Sequence, residues 1–387
     1  MKKTILILGA ILCAAANAWA GSVADPLNVK FCPAGTARTY PLDTMRGVQS
    51  VLLQNVALIN RSGKPVSIDA VEIALEAGGQ AVDTRRILPD ALAKIAKGGQ
   101  AAQAAGMMKL AAFQFCGTEL LGDTQLSDTA TVAPGSALLI MQQPFAFQGA
   151  RDKLAVSVYS GTTRVGYAAI PLNASVAKTE LIFPLAGAWW VASGQSFHTQ
   201  HRWAIPEEFG LDLVKFDANG KTHRGDGSKF TDYYAYGAKI LAPAAGKVVL
   251  AITGESEDLK ALRQAGETQE AYFTRLLGDQ ATRMARGLPG ILGNGIVIDH
   301  GNGEFSLLAH MKPGSVKVAV GDTVAKGQIV GALGSSGNST EPHLHYHLCD
   351  KPDPLLCAGI PLAFSNIDIP LADLPRPIQS GDIVITR

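Results

Sequence analysis

Residues 342–347 (PHLHYH) carry three histidines at every second position, namely His343, His345 and His347. With apolar residues between them, this alternation is typical of a β-strand whose imidazoles share one face. Neutral imidazole is the commonest metal ligand in proteins, and it also gains or loses a proton near neutral pH. The strand therefore predicts a metal site with a general base beside it.

The other histidines support this prediction, because all eight lie within residues 198–347 and none in the first 197. The remaining five are His198, His201, His223, His300 and His310. Histidine used only for packing would be spread along the whole chain.

Two β-rich regions must position these groups. Residues 21–185 predict an N-terminal β domain of immunoglobulin-like sandwich type, because short strands alternate with turns. Within it, residues 89–97 predict a helix that ends at the Gly-Gly pair after it. Residues 186–197 predict a linker whose paired tryptophans pack between domains.

The histidines fall in a second β-rich domain, predicted at residues 198–368. Residues 255–286 predict a helical insertion in it, which is either a structural addition or a lid or groove wall beside the site. Residues 369–387 predict a C-terminal tail. The predicted fold class is all-β dominated, with this helical insertion.

Charge and targeting signals narrow the class of protein. The 34 basic and 33 acidic residues balance, so no nucleic-acid partner is expected. Residues 1–20 predict a signal peptide, with a Lys-Lys start, an apolar run and an Ala-Trp-Ala cleavage site. No later stretch is long and apolar enough to span a bilayer, so an exported protein with no integral membrane segment after cleavage is expected.

Four cysteines lie beyond the predicted signal peptide, and an even number in an exported protein predicts disulfides. Cys32 with Cys116 and Cys349 with Cys357 is the simplest pairing, because each pair stays within one predicted domain. Cys349, two residues after the histidine strand, is alternatively a metal ligand.

Further blocks surround the histidine strand: GNGIVIDHGNG at 293–303, AHM at 309–311, VGDTVAKGQIVG at 320–331 and GSSGNST at 334–340. In this order they resemble the lysostaphin-type (LytM-like) zinc metallopeptidases, which cleave peptide bonds in bacterial peptidoglycan. The resemblance implies the family's β-rich peptidase fold (a duplicated hybrid motif), one zinc ion per chain, and a peptidoglycan or peptide substrate met in the periplasm or outside the cell. It does not cover the N-terminal half.

The resemblance also implies roles for four residues. Asp212 and His345 match two of the zinc ligands, and His310 and His343 match the two catalytic histidines that do not bind zinc. One of these two would act as general base toward water, and the other would stabilise the developing oxyanion.

The first ligand departs from the family's pattern, because Glu208 stands where that histidine usually lies, four residues before Asp212. His198 is the favoured replacement, since Ser-Phe-His resembles an Asn-Tyr-His segment of variant members. His201 is the second choice and Glu208 the third, and a broken site is the remaining alternative.

The other histidines have simpler interpretations. His347 is expected to point past the metal, His300 to make hydrogen bonds in a turn, and His223 to be solvated. The predicted function is an exported zinc metallopeptidase acting on peptidoglycan. The alternatives are an inactive relative that binds peptidoglycan or regulates an amidase, and a metallopeptidase that acts on proteins or free peptides.

Overall fold

The computed structural model describes residues 25–174, 176–197, 199–264, 266–372 and 376–387. The predicted signal peptide and His198 lie outside the described residues. Within those ranges, no helix is both long and apolar enough to cross a membrane.

An eight-stranded sheet is built from residues 27–173. The strands of this part of the chain are β1 (Leu27–Cys32), β2 (Ala37–Asp43), β3 (Val48–Asn60), β4 (Val66–Ser67), β5 (Ala70–Ala77), β6 (Gln80–Ile87), β7 (Thr131–Val132), β8 (Ala137–Gln148), β9 (Lys153–Ser160) and β10 (Thr163–Asn173), of which β4 and β7 form a separate pair. We call the eight-stranded assembly the N-terminal sheet.

The N-terminal sheet has two halves. Strand β3 pairs with β8 on one edge and with both β1 and β2 on the other. Strands β6, β5, β9 and β10 form the second half, which joins the first through a short parallel contact between β10 and β2. Apolar side chains from both halves meet in one core, so the predicted strand-rich, sandwich-like fold is confirmed here.

Two helices and a 3-10 turn lie between β6 and β7: α1 (Pro89–Ala104), α2 (Met107–Leu110) and Ala112–Gln114. The predicted stop of α1 at the Gly-Gly pair is wrong. Gly99 is buried in the face that α1 packs inward, and a Cβ there would contact Leu126 Cδ1 at 3.5 Å. Glycine inside a helix costs about 1 kcal/mol, which the burial of this face offsets.

A nine-stranded sheet is built from the C-terminal half, in the order β17-β14-β15-β16-β19-β12-β11-β21-β20. The strands are β11 (Ala188–Ser193), β12 (Leu211–Val214), β13 (Lys239–Leu241), β14 (Gly246–Ile252), β15 (Asn294–Asp299), β16 (Phe305–Met311), β17 (Thr323–Val324), β18 (Ile329–Ala332), β19 (Leu344–Cys349), β20 (Ile367–Asp368) and β21 (Ile383–Thr386), of which β13 and β18 form a separate pair. Turns of 3-10 type occur at Gln200–Trp203, Phe230–Asp232 and Leu259–Ala261.

Two predicted connecting segments are instead part of this sheet. The predicted linker contains β11, which pairs with β12 and with β21 of the predicted tail. Strand β11 alternates along its length, and Trp189 and Val191 are buried in the core of the second half. The linker and tail are therefore corrected to sheet strands, because their apolar residues at every second position need a face to bury.

The predicted insertion is only partly helical. Helix α3 (Gln269–Met284) begins after an extended stretch and a 3-10 turn, and its N-terminus is capped by Thr268 Oγ1, which accepts from the Ala271 amide. None of its residues is buried. A short helix, α4 (Leu288–Leu292), follows and leads into β15.

Two disulfides join the cysteines as predicted, Cys32 with Cys116 and Cys349 with Cys357. They close loops of different size, with sequence separations of 84 and 8 residues. A cross-link stabilises a fold mainly by restricting the unfolded chain, and it does so more for a longer loop.

We expect replacing Cys32 and Cys116 with serine to destabilise the fold more than the same change at Cys349 and Cys357. Loop entropy gives about 4.5 kcal/mol for the first pair and about 2.5 kcal/mol for the second. Urea unfolding of the two double variants beside the unaltered chain measures the difference. Equal losses, or a larger loss for the short loop, would contradict this ranking.

Candidate metal centre and catalytic site

Strand pairing brings the predicted carboxylate and the histidine strand together. Strand β12 lies beside β19, and Asp212 is directly opposite His345 in the register. On both strands the apolar residues face the core, as Leu211, Leu213 and Tyr346 show. Because side chains alternate across a strand, Asp212 and His345 share the opposite face.

A third group reaches this face from the 3-10 turn at Gln200–Trp203. His201 Nε2 lies 3.0 Å from Asp212 Oδ2, and His345 Nδ1 lies 3.0 Å from Asp212 Oδ1. The candidate ligand atoms of these three residues all lie within 4.8 Å of one another. We call His201, Asp212 and His345 the metal group.

The donor set fits zinc. Two imidazole nitrogens and one carboxylate oxygen are typical of catalytic zinc sites, which keep a fourth position open. His201 Nδ1 lies 3.3 Å from the Gly210 carbonyl oxygen, so Nδ1–H donates there and Nε2 keeps its lone pair for a metal. A Cβ at Gly210 would lie 3.4 Å from His345 Cε1, so a glycine leaves room for the imidazole.

The electrostatics of the metal group favour a bound cation. Burial alone would raise the pKa of the Asp212 carboxyl, but the imidazoles of His201 and His343 hold this pKa well below its usual range. Burial alone would lower the pKa of His201, and Asp212 instead raises it to about 9. The carboxylate therefore stays ionised and attracts positive charge in a site shielded from water.

His310 and His343 form a second pair beside the metal group, with ring centroids 4.7 Å apart. His343 Nδ1 lies 2.8 Å from the Glu341 carbonyl oxygen, and its Nε2 lies 3.5 Å from Asp212 Oδ1. His310 Nδ1 lies 2.8 Å from the Ser336 carbonyl oxygen. Both rings therefore donate from Nδ1 to a backbone carbonyl and keep Nε2 for other chemistry.

His310 occupies a backbone conformation that is uncommon for a residue with a side chain. Its φ is +61°, in the left-handed region, at the end of β16. Such conformations persist where the surrounding structure holds them, and they concentrate at functional sites. The burial of His310, together with the nearby imidazoles of His343 and His345, holds its pKa well below the usual range, so the ring is neutral.

His347 contacts the metal group, contrary to the expectation that it points past it. Its Nδ1 lies 3.0 Å from His345 Nε2, and the residue is buried. Because burial holds the pKa of His347 well below the usual range, its ring is neutral. If His345 binds a metal through Nδ1, its proton is on Nε2, and His347 Nδ1 is placed to accept it. In that tautomer His345 Nδ1 is the atom that faces Asp212 and could bind a metal. The shared face of the alternating strand was the sequence signal for this contact.

Other candidates lie apart from the metal group. Glu208 is buried, and its Oε2 accepts from Gln54 Nε2 at 3.0 Å, while burial raises its pKa to about 7. His300 engages the Ala245 carbonyl and the Ser306 hydroxyl at 2.9 and 2.8 Å. The ring of His223 is tilted by 54° against that of Tyr233, with centroids 5.2 Å apart. His198 lies outside the described residues.

A second geometric cluster, formed by His347, Cys349 and Cys357, has different chemistry. Its two sulfurs are bonded to each other. Metals are held by cysteine as the thiolate, so this disulfide is not a ligand pair.

The inserted helix borders a cleft near the site. A cleft of about 370 Å³ lies between α3, which contributes Asp279 and Arg283, and the loop that contains Ser335 and Gly337. Ser336, between these two loop residues, accepts the hydrogen bond from His310. The cleft therefore opens next to the backbone that positions a candidate catalytic ring.

Comparison with known proteins identifies this part of the chain. Residues 281–355 match the family model of Peptidase family M23. This segment is therefore similar to peptidases of family M23. The match contains His310, His343 and His345, and it confirms the resemblance to lysostaphin-type peptidases, whereas His201 and Asp212 lie upstream of it.

Two similar curated proteins are peptidases according to their names, and the first name includes peptidoglycan. The chain is 38% identical over 90 residues to the peptidoglycan DD-endopeptidase ShyA of Vibrio cholerae, which is 23% of this chain and 20% of that protein. It is 44% identical over 61 residues to the DD-carboxypeptidase/endopeptidase Mpg of Neisseria meningitidis, which is 16% of this chain and 14% of that protein. The chain thus spans a fifth or less of these relatives.

Solved structures of the family are similar only at low scores. The catalytic domain of the prophage-encoded M23 protein EnpA from Enterococcus faecalis has a TM-score of 0.28 at 18% identity, covering 47% of this chain and 93% of that one. The catalytic domain of lysostaphin from Staphylococcus simulans has a TM-score of 0.24 at 18% identity. The match covers 45% of this chain and 88% of that one.

We expect His347→Ala to weaken zinc binding about 10- to 100-fold, as loss of a hydrogen-bond partner of a ligating histidine does. His347→Gln keeps an acceptor for His345 Nε2–H and should recover part of the loss. His223→Ala, outside the metal group, is the control and should bind zinc as the unaltered chain does. Competition with a chromophoric chelator measures all three, and an unchanged affinity in His347→Ala would refute the role of His347.

Proposed function

We propose that this protein is a zinc metallopeptidase that hydrolyses peptide bonds of peptidoglycan, in the stem peptides or the cross-bridges. The observation that carries the proposal is the metal group of His201, Asp212 and His345 beside the His310–His343 pair. The match to family M23 and the names of the similar proteins support a peptidase, and the name of ShyA supports the substrate class.

The proposed ligands are His201 Nε2, the Asp212 carboxylate and His345 Nδ1. We place His201 as first ligand in preference to His198 and Glu208, because its Nε2 lies 3.0 Å from Asp212 and its Nδ1 is bonded to a carbonyl. Zinc, when bound there, supplies a Lewis acid that polarises a carbonyl and makes water nucleophilic at neutral pH.

The histidine pair handles protons in this proposal. His310 and His343 each fix Nδ1–H on a backbone carbonyl, so each presents Nε2 as the atom that takes or gives a proton. One ring, neutral, accepts the proton of the attacking water at Nε2. The other, protonated on both nitrogens, donates a hydrogen bond from Nε2–H to the oxyanion that develops on the substrate. Their burial excludes bulk water from this exchange.

The substrate peptide is proposed to bind in the cleft bordered by α3. The helical insertion then forms one wall of the substrate groove. An exported location, periplasmic or secreted, is part of the same proposal, since the substrate lies outside the cytoplasm. The two disulfides support it, because disulfides persist in oxidising compartments.

The purified chain should contain about one zinc ion, as a mononuclear catalytic site requires, and should release soluble peptide fragments from isolated cell walls. Chelator should stop the release. His310→Ala and His343→Ala should each keep zinc and lose about 10²- to 10⁴-fold in rate, the contribution of a positioned acid or base. Asp212→Ala should lose the zinc itself.

Chromatography of the released fragments and metal analysis of each variant provide the measurements. Zinc-loaded protein that binds walls without releasing fragments would contradict the proposal and favour the inactive relative. Cleavage of a casein substrate but not of walls would favour the protein-directed peptidase.

A further inference from the structure

We propose that the N-terminal sheet is a structural part of the metal site, because its side chains hold the segment that carries His201. We call residues 199–210 the ligand segment. The inference rests on the proposed function, and it assigns positioning roles to Tyr40, Ser50 and Gln54 of the sheet and to Arg202 of the ligand segment.

Arg202, next to His201 in the chain, is anchored in the N-terminal sheet. Its side chain is fully buried. Its Nη2 donates to Ser50 Oγ at 2.6 Å, its Nη1 donates to Tyr40 Oη, and its guanidinium carbon lies 4.9 Å from the Tyr40 ring centroid. A buried guanidinium is costly unless it is hydrogen bonded, so these contacts oppose any movement of the turn.

Gln54 holds the ligand segment at two points. Its Nε2 donates to the Arg202 carbonyl oxygen at 2.8 Å and to Glu208 Oε2 at 3.0 Å. A further sheet residue, Gln142, donates to the Trp203 carbonyl oxygen at 3.3 Å. The backbone directly after His201 is therefore fixed by side chains more than 50 residues away in sequence.

Apolar contacts join the same two regions. Ile205 of the ligand segment packs in a cluster with Ala57 and Leu139 of the sheet. Phe209 meets the Tyr40 ring edge to face, with centroids 5.5 Å apart. The ligand segment thus lies between the N-terminal sheet and the strands that carry the other two ligands.

The three ligands differ in how they are supported. Asp212 and His345 are held by the pairing of β12 with β19. His201 is on a 3-10 turn of four residues, where its Nδ1 bond to the Gly210 carbonyl stays within the ligand segment. A metal ligand must be held to within about 0.5 Å of its productive position. Ser193 and Gly359 of the C-terminal half bond to Thr199 and Ile205, and the N-terminal sheet adds the restraint on the backbone directly after His201.

Neighbouring residues of β3 offer a matched pair of variants. Gln54 and Asn55 are both buried, and each donates a side-chain amide to a backbone carbonyl, but Asn55 bonds Gln114 at 2.7 Å and does not reach the ligand segment. Gln54→Met therefore removes two hydrogen bonds to the ligand segment, and Asn55→Leu removes one to Gln114 on the opposite side of the same strand.

The first measurement is the zinc dissociation constant of the full chain, by chelator competition. Gln54→Met should bind zinc at least tenfold more weakly, and Asn55→Leu should stay within twofold of the unaltered chain, although both lower the melting temperature. Unaltered zinc affinity in folded Gln54→Met, or an equal loss in Asn55→Leu, would overturn the inference.

The second measurement is amide hydrogen exchange of residues 199–210 in zinc-free protein. Exchange should rise in Gln54→Met and not in Asn55→Leu, and equal exchange in the two would also overturn the inference. Hydrogen exchange does not depend on catalysis. If the unaltered chain fails to bind zinc, the proposed function is contradicted, and the exchange rates still show whether the sheet holds the ligand segment.

Tyr40→Phe is the variant to use if Gln54→Met does not fold. It keeps the ring that contacts Arg202 and Phe209 and removes only the hydroxyl that accepts from Arg202. Faster exchange of the ligand segment with weaker zinc binding would support the inference, and unchanged values of both would overturn it.

Discussion

The buried carboxylate of Asp212 is the charge on which the arrangement of the site depends. Three imidazoles surround it, with His201 and His345 at 3.0 Å and His343 at 3.5 Å. An unpaired charge in this position would be expensive, so the fold brings cationic or metal-binding partners to it. The ring nitrogen that points away from Asp212 is hydrogen bonded in each case, in His201 to Gly210, in His345 to His347 and in His343 to Glu341. These bonds fix which nitrogen of each ring faces the carboxylate.

Two kinds of support hold these rings. Paired strands fix Asp212 and His345, and their alternation separates a histidine face from an apolar core. His201 and His310 instead lie where regular structure ends, on a 3-10 turn and at a left-handed residue near the end of β16. Such positions can orient a side chain in a direction that a strand does not allow, but other parts of the fold must hold them in place. Arg202, bonded to Ser50, does this for the turn of His201, and the Ser336 carbonyl does it for the His310 ring.

Periodic segments could be predicted from the sequence, and irregular ones could not. The alternation of residues 342–347, the strand of Asp212 and both disulfide pairs were readable because each depends on local pattern or domain membership. Strands β11 and β21 were missed because each is short and pairs with residues almost 200 positions away. The contact of Arg202 with Tyr40 spans 162 residues and leaves no local pattern. The choice of His198 over His201 as first ligand depended on the Ser-Phe-His segment alone.

Anomalous diffraction at the zinc edge from crystals of the zinc-loaded protein tests the central claim most directly. The account predicts a single strong peak within about 2.0–2.2 Å of His201 Nε2, an Asp212 oxygen and His345 Nδ1, the usual zinc–ligand distances. A peak bonded to His198 or Glu208 in place of His201, or no peak beside Asp212, would contradict it.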